Sequence, residues 1–324
     1  MSLLPRWPLV LLSGALLAGC FISRPTRTRN PADFAPLTSG EAERMARLQA
    51  SVAALATDIG ARDGRKYPEH LVAAQAWLEG QWEGQGYSVQ REAVPESPTP
   101  NLWVELPGRS PGLVVVGAHY DSVWSTPGAD DNASGVAALL ELSRALKGKK
   151  LGQTVRFVAF TNEEPPWFQT AAMGSRVHAS GAADRREDIV AMLSIESIGT
   201  YSTRNGSHPL PGPLGLLWPE KGNYIGIYSN VGNIRQVAST ARAFRESVDF
   251  PYLAAALPAR VEGIDWSDHW SFWEEGYPGV MVTDAPPNRN PNYHEPSDTA
   301  ATLDYARMTR VVVGLEGVVR ALAE

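Results

Sequence analysis

The chain has 324 residues, of which 44% are hydrophobic and 20% charged, and this composition is typical of a folded globular protein rather than a disordered tail, a collagen or a coiled coil. Its formal net charge of −6 gives no general attraction for nucleic acid, which requires a basic patch. The single cysteine excludes an intrachain disulfide and a cysteine-rich zinc module. Any bound metal must therefore be held by histidines and carboxylates.

The N-terminal segment has the layout of a secretory signal. Arg6 precedes an apolar stretch from Leu9 to Leu17 that is short for a membrane-spanning helix. The segment ends Leu17-Ala18-Gly19-Cys20, which resembles the lipobox of bacterial lipoproteins, and the only cysteine falls at the position that would be acylated. An ordinary cleaved signal with an incidental cysteine, or a short membrane anchor, are the alternatives.

These features predict three segments along the chain. Residues 1–19 form a lipoprotein signal peptide, residues 20–36 a lipidated Cys20 and a flexible linker, and residues 37–324 one folded domain. The lipoprotein resemblance implies a location in the bacterial cell envelope, with membrane attachment through Cys20 and the domain facing the periplasm or the exterior.

After the linker, helical and strand-like patterns alternate. Helices are predicted at Met45 to Ile59, Pro68–Glu83, Gly135–Leu146 (capped by Ser134) and Met308–Leu322. Strands are predicted at Tyr87–Val89, Leu102–Leu106, Leu113–Val116, Thr154–Phe160, Val190–Ile195 and Gly279–Val282, and Gly206–Gly222 is predicted to be a long surface loop. Apolar strands separated by helices indicate an α/β fold, a three-layer α/β/α sandwich with a mostly parallel central sheet.

Polar side chains follow the apolar runs. His119 and Asp121 come after the first buried strand, Glu163 and Glu164 after the second, and Glu196 after the third. Two further motifs lie in loops, Asp130-Asp131 before a helix and Tyr293-His294 near the end of the chain. In a parallel sheet the carboxyl ends of the strands form the ligand crevice, and acids that meet there repel each other unless a cation neutralises them. Two histidines with three carboxylates suit Zn²⁺, with Mn²⁺ or Co²⁺ as alternatives.

Each motif alone is weak, but together they match a family. The segments His119-x-Asp121-Ser122, Pro-Gly-Ala-Asp-Asp131-Asn-Ala-Ser-Gly135, Asn-Glu163-Glu164 and Tyr293-His294-x-x-x-Asp298 resemble the co-catalytic dizinc aminopeptidases of metallopeptidase family twenty-eight. The superfamily also contains glutamate carboxypeptidase and glutaminyl cyclase. The resemblance covers residues 40–324 and implies a zinc-peptidase (phosphorylase/hydrolase-like) catalytic domain.

The resemblance also implies a role for each residue. Asp131 would bridge two zinc ions; His119 and Glu196 would complete one site, and Glu164 and His294 the other. Glu163 would be the general base, Asp121 would orient His119, and Tyr293 would help to hold the oxyanion. A non-proline cis peptide bond is expected after Asp131. One position departs from the pattern, because the family commonly has aspartate where this chain has Glu196.

The leading interpretation is a zinc aminopeptidase, a hydrolase that removes N-terminal residues from peptide substrates, with an apolar preference because Trp124, Trp167 and Trp270 lie near the motifs. Glutaminyl cyclisation or carboxypeptidase action on the same scaffold is the first alternative. A non-catalytic binding lipoprotein is the second, although such proteins usually lose ligands or the base, and here every position carries a usable group.

Overall fold

The structure, a computed structural model, describes residues 21–22, 34–209 and 220–324. The predicted signal peptide and Cys20 lie outside the described residues, as do residues 23–33 of the predicted linker and 210–219 of the predicted loop. Within the described part of the chain, no helix has both the length and the apolar character needed to cross a membrane.

One nine-stranded sheet forms the centre of the molecule. Its strands are β1 (Phe21–Ile22), β2 (Gln90–Glu92), β3 (Asn101–Leu106), β4 (Leu113–His119), β5 (Thr154–Phe160), β6 (Ile189–Glu196), β7 (Ile225–Asn230), β8 (Tyr252–Leu257) and β9 (Gly279–Thr283), in the spatial order β1-β8-β7-β9-β6-β4-β5-β3-β2. The central strands β9, β6, β4 and β5 are parallel. β3 pairs antiparallel with β5, and β7 pairs antiparallel with β9, so the sheet is mixed towards both edges.

Helices cover both faces of the sheet. They are α1 (Ser39–Ala53), α2 (Pro68–Gly84), α3 (Gly135–Leu146), α4 (Gly174–Asp184), α5 (Ile234–Ser247), α6 (His269–Glu274), α7 (Pro286–Arg289) and α8 (Tyr305–Leu322). Helices α1, α3, α5 and α8 pack together on one face, and α4 packs against α6 on the other. The predicted three-layer α/β/α fold is confirmed. Because both faces are covered, every residue of β4 is buried.

Most predicted elements are present with similar bounds, and two details differ. The strand predicted at Tyr87–Val89 begins later, at Gln90, because Tyr87 turns into the core and donates from its hydroxyl to Ser143 O (2.8 Å). Ser134 does not cap α3, since it is itself helical (φ −64°, ψ −44°) and its hydroxyl donates to Asp130 O. The segment Gly206–Gly222 was predicted to be a surface loop, but His208 within it is buried.

Candidate active site

The predicted site residues meet at the carboxyl edge of the central strands. His119 is the last residue of β4 and Glu196 the last of β6, while Glu163 and Glu164 follow β5 closely. β4 lies between β6 and β5 in the sheet, so these three strand ends are adjacent. Parallel pairing therefore gathers residues that are far apart in sequence into one crevice.

Asp131 reaches the same crevice from the irregular turn before α3. Its peptide bond to Asn132 is cis, as the family resemblance predicted. Asn132 Nδ2 donates to Ile195 O (2.8 Å), which joins this turn to the end of β6. Asp298, the last residue of the Tyr293-His294-x-x-x-Asp298 segment, accepts hydrogen bonds from the backbone N–H groups of Asp130 (3.0 Å) and Asp131 (3.2 Å). The turn is thus fixed from two sides.

Two groups of three potential ligands share Asp131. His119 Nε2 lies 3.2 Å from Asp131 Oδ1 and 3.2 Å from Glu196 Oε2. His294 Nε2 lies 3.1 Å from Asp131 Oδ2 and 3.5 Å from Glu164 Oε2. Within each group, the candidate ligand atoms all lie within 4.8 Å of one another. The structure therefore brings together all five residues for which the sequence predicted metal binding, in the predicted pairs.

The donor atoms in these groups fit a metal. His119 Nδ1 and Nε2, His294 Nε2 and Glu164 Oε1 are buried and have no hydrogen-bond partner among the described residues. Buried polar atoms are nearly always paired, and a metal ion would supply a partner for the Nε2 atoms of His119 and His294 and for Glu164 Oε1. Imidazole nitrogens and carboxylate oxygens are the ligands that zinc takes in catalytic sites.

Electrostatics in the crevice support the same conclusion. Burial raises the pKa of Glu163 and of Glu164 well above the ordinary range, and neighbouring carboxylates add to the rise. Burial by itself would lower the pKa of His119, but the carboxylates of Glu196 and Glu163 raise it well above its usual value. Buried acids at this density repel one another, and a divalent cation relieves that repulsion.

Three residues beside the ligand groups were predicted to act without binding metal. Glu163 is buried, its Oε2 lies 3.9 Å from His119 Nε2, and it also forms a further group of potential ligands with His119 and Glu164. Asp121 Oδ1 lies 3.5 Å from His119 Nδ1, while the Asp121 carboxylate accepts from the N–H groups of Glu163 (3.2 Å) and Glu164 (3.1 Å). The ring of Tyr293 stacks on that of His294, with centroids 3.8 Å apart.

Two serines that bind Glu196 were not identified from the sequence. Ser267 Oγ donates to Glu196 Oε2 (2.9 Å), and Ser197 Oγ donates to Glu196 Oε1 (3.0 Å). Ser267 lies in the segment Trp266-Ser-Asp-His-Trp270, whose composition stands out, but its closeness to β6 arises only through the fold. No sequence signal links a serine 71 positions away to Glu196.

A cavity of about 670 Å³ opens next to the ligand groups. Its wall is mostly apolar, and its members include Phe168, Tyr228, Leu257, Ile264, Trp266 and Met281. Glu163, Glu164 and His294 form one side of it. The sequence had suggested Trp124, Trp167 and Trp270 as apolar contacts, and none of these three lines this cavity.

Residues 101–316 match the sequence profile described as Peptidase family M28. The chain belongs to this family. It is therefore a metallopeptidase, a hydrolase, as the sequence predicted.

Curated proteins from a bacterium and a fungus are similar to the chain. The chain is 36% identical over 258 residues to "Uncharacterized protein YfbL" of Escherichia coli (strain K12), covering 76% of this chain and 79% of the relative. It is 29% identical over 231 residues to "Probable leucine aminopeptidase" of Arthroderma otae, covering 66% of this chain and 56% of that protein. The chain thus spans little more than half the length of the fungal relative.

Solved structures share the fold. The aminopeptidase from Aneurinibacillus sp. strain AM-1 superposes with a TM-score of 0.65 at 17% identity, covering 85% of this chain and 93% of that one. The zinc aminopeptidase BSAP of Bacillus subtilis gives 0.63 at 16% identity (85% and 94% covered). The glutaminyl cyclase of Fimbriiglobus ruber gives 0.62 at 20% identity (92% and 98% covered).

Proposed function

We propose that this metallopeptidase is an aminopeptidase that removes N-terminal residues from peptides and uses two zinc ions. The observation that carries the proposal is the pair of three-residue ligand groups that share Asp131, with unpartnered buried histidine nitrogens facing them. The leucine aminopeptidase relative supports the choice of an N-terminal substrate.

In this proposal each ligand group holds one zinc. His119, Asp131 and Glu196 would bind the first ion, and Asp131, Glu164 and His294 the second. Zinc bound at such sites supplies Lewis-acid chemistry, because it lowers the pKa of water and stabilises negative charge on oxygen. The protein provides the rest of the reaction from its own side chains.

Glu163 is proposed as the general base. It directly precedes the proposed ligand Glu164, belongs to the cavity wall and carries a carboxylate that is not needed for either ligand pair. It would accept a proton from the attacking water and pass it to the leaving amine. Asp121 would position Glu163 and Glu164 through the two backbone hydrogen bonds that it accepts, as well as orienting His119. Tyr293, which lines the same cavity, would donate a hydrogen bond to the oxyanion.

The apolar cavity is proposed to hold the side chain of the N-terminal residue. Its volume of about 670 Å³ accommodates large aliphatic or aromatic side chains, and burial of each methylene contributes about 0.8 kcal/mol of binding. Because the cavity wall is mostly apolar, we expect the enzyme to prefer substrates with leucine, methionine or an aromatic residue at the N-terminus.

The substitution Glu163→Gln tests the proposal. Loss of the base should reduce turnover of a leucyl anilide by about 10²- to 10⁴-fold, while metal analysis still finds two zinc ions per chain. Glu83→Gln, on the exposed face of α2, is the matched control and should retain full turnover. Normal turnover in Glu163→Gln would overturn the base assignment, and fewer than two zinc ions in the native protein would overturn the dizinc site.

Glutaminyl cyclisation is the alternative favoured by an observation, since a glutaminyl cyclase shares the fold. Cyclases of the superfamily typically use one zinc. A panel of leucyl, N-acetylated and glutaminyl peptides separates the possibilities. Release only from unblocked peptides supports the aminopeptidase, release from N-acetylated peptides supports a carboxypeptidase, and pyroglutamate formation supports the cyclase. Stable binding without turnover of any of them supports the non-catalytic lipoprotein.

We also propose that the protein is anchored in the bacterial cell envelope through a lipid on Cys20, facing the periplasm or the exterior. The support is the sequence Leu17-Ala18-Gly19-Cys20 after an apolar segment. Cells fed labelled palmitate should label the native protein, and Cys20→Ser should abolish the label. Native protein without the label, or a label that persists in Cys20→Ser, would contradict lipidation at Cys20.

A further inference from the structure

A second cavity, of about 390 Å³, lies beside the metal site and has a different character. We call it the cationic groove; it is lined by Asp63, Arg65, Lys66, Trp124, Pro165 and Pro166. Pro165 also lines the apolar cavity, and it directly follows the proposed ligand Glu164. The two cavities therefore meet at the metal site.

The cations of the groove have little to neutralise them. Arg65 and Lys66 are exposed, and neither forms an ion pair with any residue in the described ranges. Lys66 Nζ donates only to the hydroxyl of Ser125. The one acid of the groove, Asp63, is occupied by backbone N–H groups: Oδ1 accepts from Arg65 and Lys66 (2.8 Å each) and Oδ2 from Trp124 (3.1 Å). The groove thus holds two exposed cations and one buried acid, which leaves it with a net positive charge.

Trp124 has the features of a binding residue rather than a packing residue. Its side chain is 57% exposed, which is unusual for tryptophan, and its φ of +48° is a backbone conformation that such a bulky residue rarely adopts. The hydrogen bond to Asp63 helps to hold this conformation. Strained, exposed residues of this kind concentrate at functional sites.

The groove lies close to the reacting position. The ring of Trp124 meets that of His294 edge-on, with centroids 6.2 Å apart. An extended peptide advances about 3.3–3.6 Å per residue, so two residues span about 7 Å. This length is similar to the 6.2 Å between the ring centroids of Trp124 and His294.

Charge decides which end of a peptide the groove can bind. Arg65 and Lys66 repel the α-amino group of a substrate and attract a carboxylate. We infer that the cationic groove binds a carboxylate on the leaving side of the substrate, so that the enzyme favours short peptides whose carboxylate lies about two residues beyond the scissile bond. This inference rests on the proposed aminopeptidase function.

Direct binding tests the inference separately from turnover. Zinc-loaded, full-length protein carrying Glu163→Gln is titrated by calorimetry with Leu-Ala-Ala and with Leu-Ala-Ala-amide. The free acid should bind about fivefold more tightly than the amide at low salt, a magnitude expected for two exposed cations, and the ratio should shrink as salt screens them. Equal binding of the two peptides, or binding of neither, would overturn the inference.

Two double variants identify the residues responsible. Arg65→Gln with Lys66→Gln should reduce the acid-to-amide ratio to about one. Lys149→Gln with Lys150→Gln removes the same charge from exposed positions just before β5, at the opposite end of the strands, and should keep the fivefold ratio. Because the ratio is measured within each variant, a general loss of stability does not change it. A fivefold ratio that survives in the Arg65/Lys66 variant would contradict the assignment.

Peptide design separates two sources of the carboxylate. Leu-Ala-Glu-amide carries the carboxylate on a side chain, and Leu-Ala-Ala carries it at the C-terminus. If either peptide binds more tightly than Leu-Ala-Ala-amide, the result supports carboxylate binding in the groove. The peptide that binds more tightly shows which kind of carboxylate the groove takes. Turnover of a leucyl anilide by the native protein, which involves no carboxylate, reports on the proposed function alone. Its absence would overturn that function, while equal binding of acid and amide would overturn only the groove.

Discussion

Two serines hold the carboxylate of Glu196 in place. Glu196 carries one more methylene than the aspartate common at this position in the family, and both of its oxygens accept hydrogen bonds, from Ser197 and from Ser267. Ser267 in turn lies 2.7 Å from Ser194 Oγ on β6. The serines hold the longer carboxylate 3.2 Å from His119, which compensates for its extra rotational freedom.

Ser267→Ala should therefore weaken zinc binding at the site of His119, Asp131 and Glu196. Loss of a hydrogen bond that orients a ligand typically lowers metal affinity about 10- to 100-fold. Competition with a chromogenic chelator measures the affinity without turnover, and Ser239→Ala on α5 is the control. Unchanged affinity in Ser267→Ala would refute this positioning role.

Arg62 is the buried residue on which the loops around the site depend. Its guanidinium is fully buried and donates to five backbone carbonyls, those of Leu55, Gly60, Tyr120, Pro127 and Gly128. One side chain therefore donates hydrogen bonds to backbone carbonyls of three separate segments. Without it, buried acceptors would remain unpaired.

We expect Arg62→Met to lower the free energy of unfolding by about 3–5 kcal/mol, because each unsatisfied buried carbonyl costs about 1–3 kcal/mol and some recover water. Urea denaturation measures the change. Arg109→Met, at an exposed position, should shift the free energy of unfolding by less than about 0.5 kcal/mol. A similarly small shift for Arg62→Met would show that the carbonyls find other donors.

At the scale of elements, the approach of α3 to the end of β6 determines where Asp131 lies. Gly135, the first residue of α3, permits this approach: a Cβ there would lie 2.3 Å from Asn132 Oδ1 and 2.5 Å from Ile195 O. These contacts are backbone or hydrogen-bonded atoms that cannot move freely. The helix and the strand end are therefore as close as a glycine allows.

Gly135→Ala should consequently reduce the free energy of unfolding by about 2–3 kcal/mol, the cost of overpacking at a rigid contact. The same substitution at Gly80, within α2, meets no described atom within 4 Å and should instead stabilise the protein by about 0.5–1 kcal/mol. Thermal or urea unfolding of both variants checks the opposite signs. Equal effects would mean that glycine entropy, rather than packing, dominates at both positions.

At the scale of the whole molecule, His208 makes stability depend on pH. It is buried, and its Nδ1 lies 3.0 Å from the hydroxyl of Tyr224 and 3.2 Å from Nη2 of Arg289. Burial, together with the Arg289 charge, lowers the pKa of His208 to about 3. In the unfolded chain its pKa is about 6.5, so the unfolded state binds the proton more readily.

The contribution of His208 to the free energy of unfolding is therefore complete above about pH 6.5. It is lost as the pH falls from 6.5 towards 3. The free energy of unfolding, measured with a chelator present, should fall by up to about 1.4 kcal/mol per pH unit in this window. His208→Gln should remove that part of the slope, whereas His70→Gln on α2 should leave it in place. An identical slope in native protein and His208→Gln would contradict this origin.

Local patterns in the sequence were sufficient for the elements that form the centre of the fold. Thr154–Phe160 and Gly135–Leu146 have the predicted bounds, because a continuous apolar run and a helical stripe are each encoded by neighbouring residues. The bounds of β2 were wrong, because that strand is polar and is fixed by its pairing with β3 rather than by its own composition.

The sequence alone determined the family motifs and the side chains proposed to bind metal, since His119, Asp131, Glu164, Glu196 and His294 stand in segments that resemble a known pattern. Only the tertiary structure decided their distances, the serines around Glu196, the true wall of the apolar cavity and the cationic groove beside it. The physical reason is that these features arise from contacts between residues tens to more than a hundred positions apart. Strand order and helix packing create such contacts, and no local pattern encodes them.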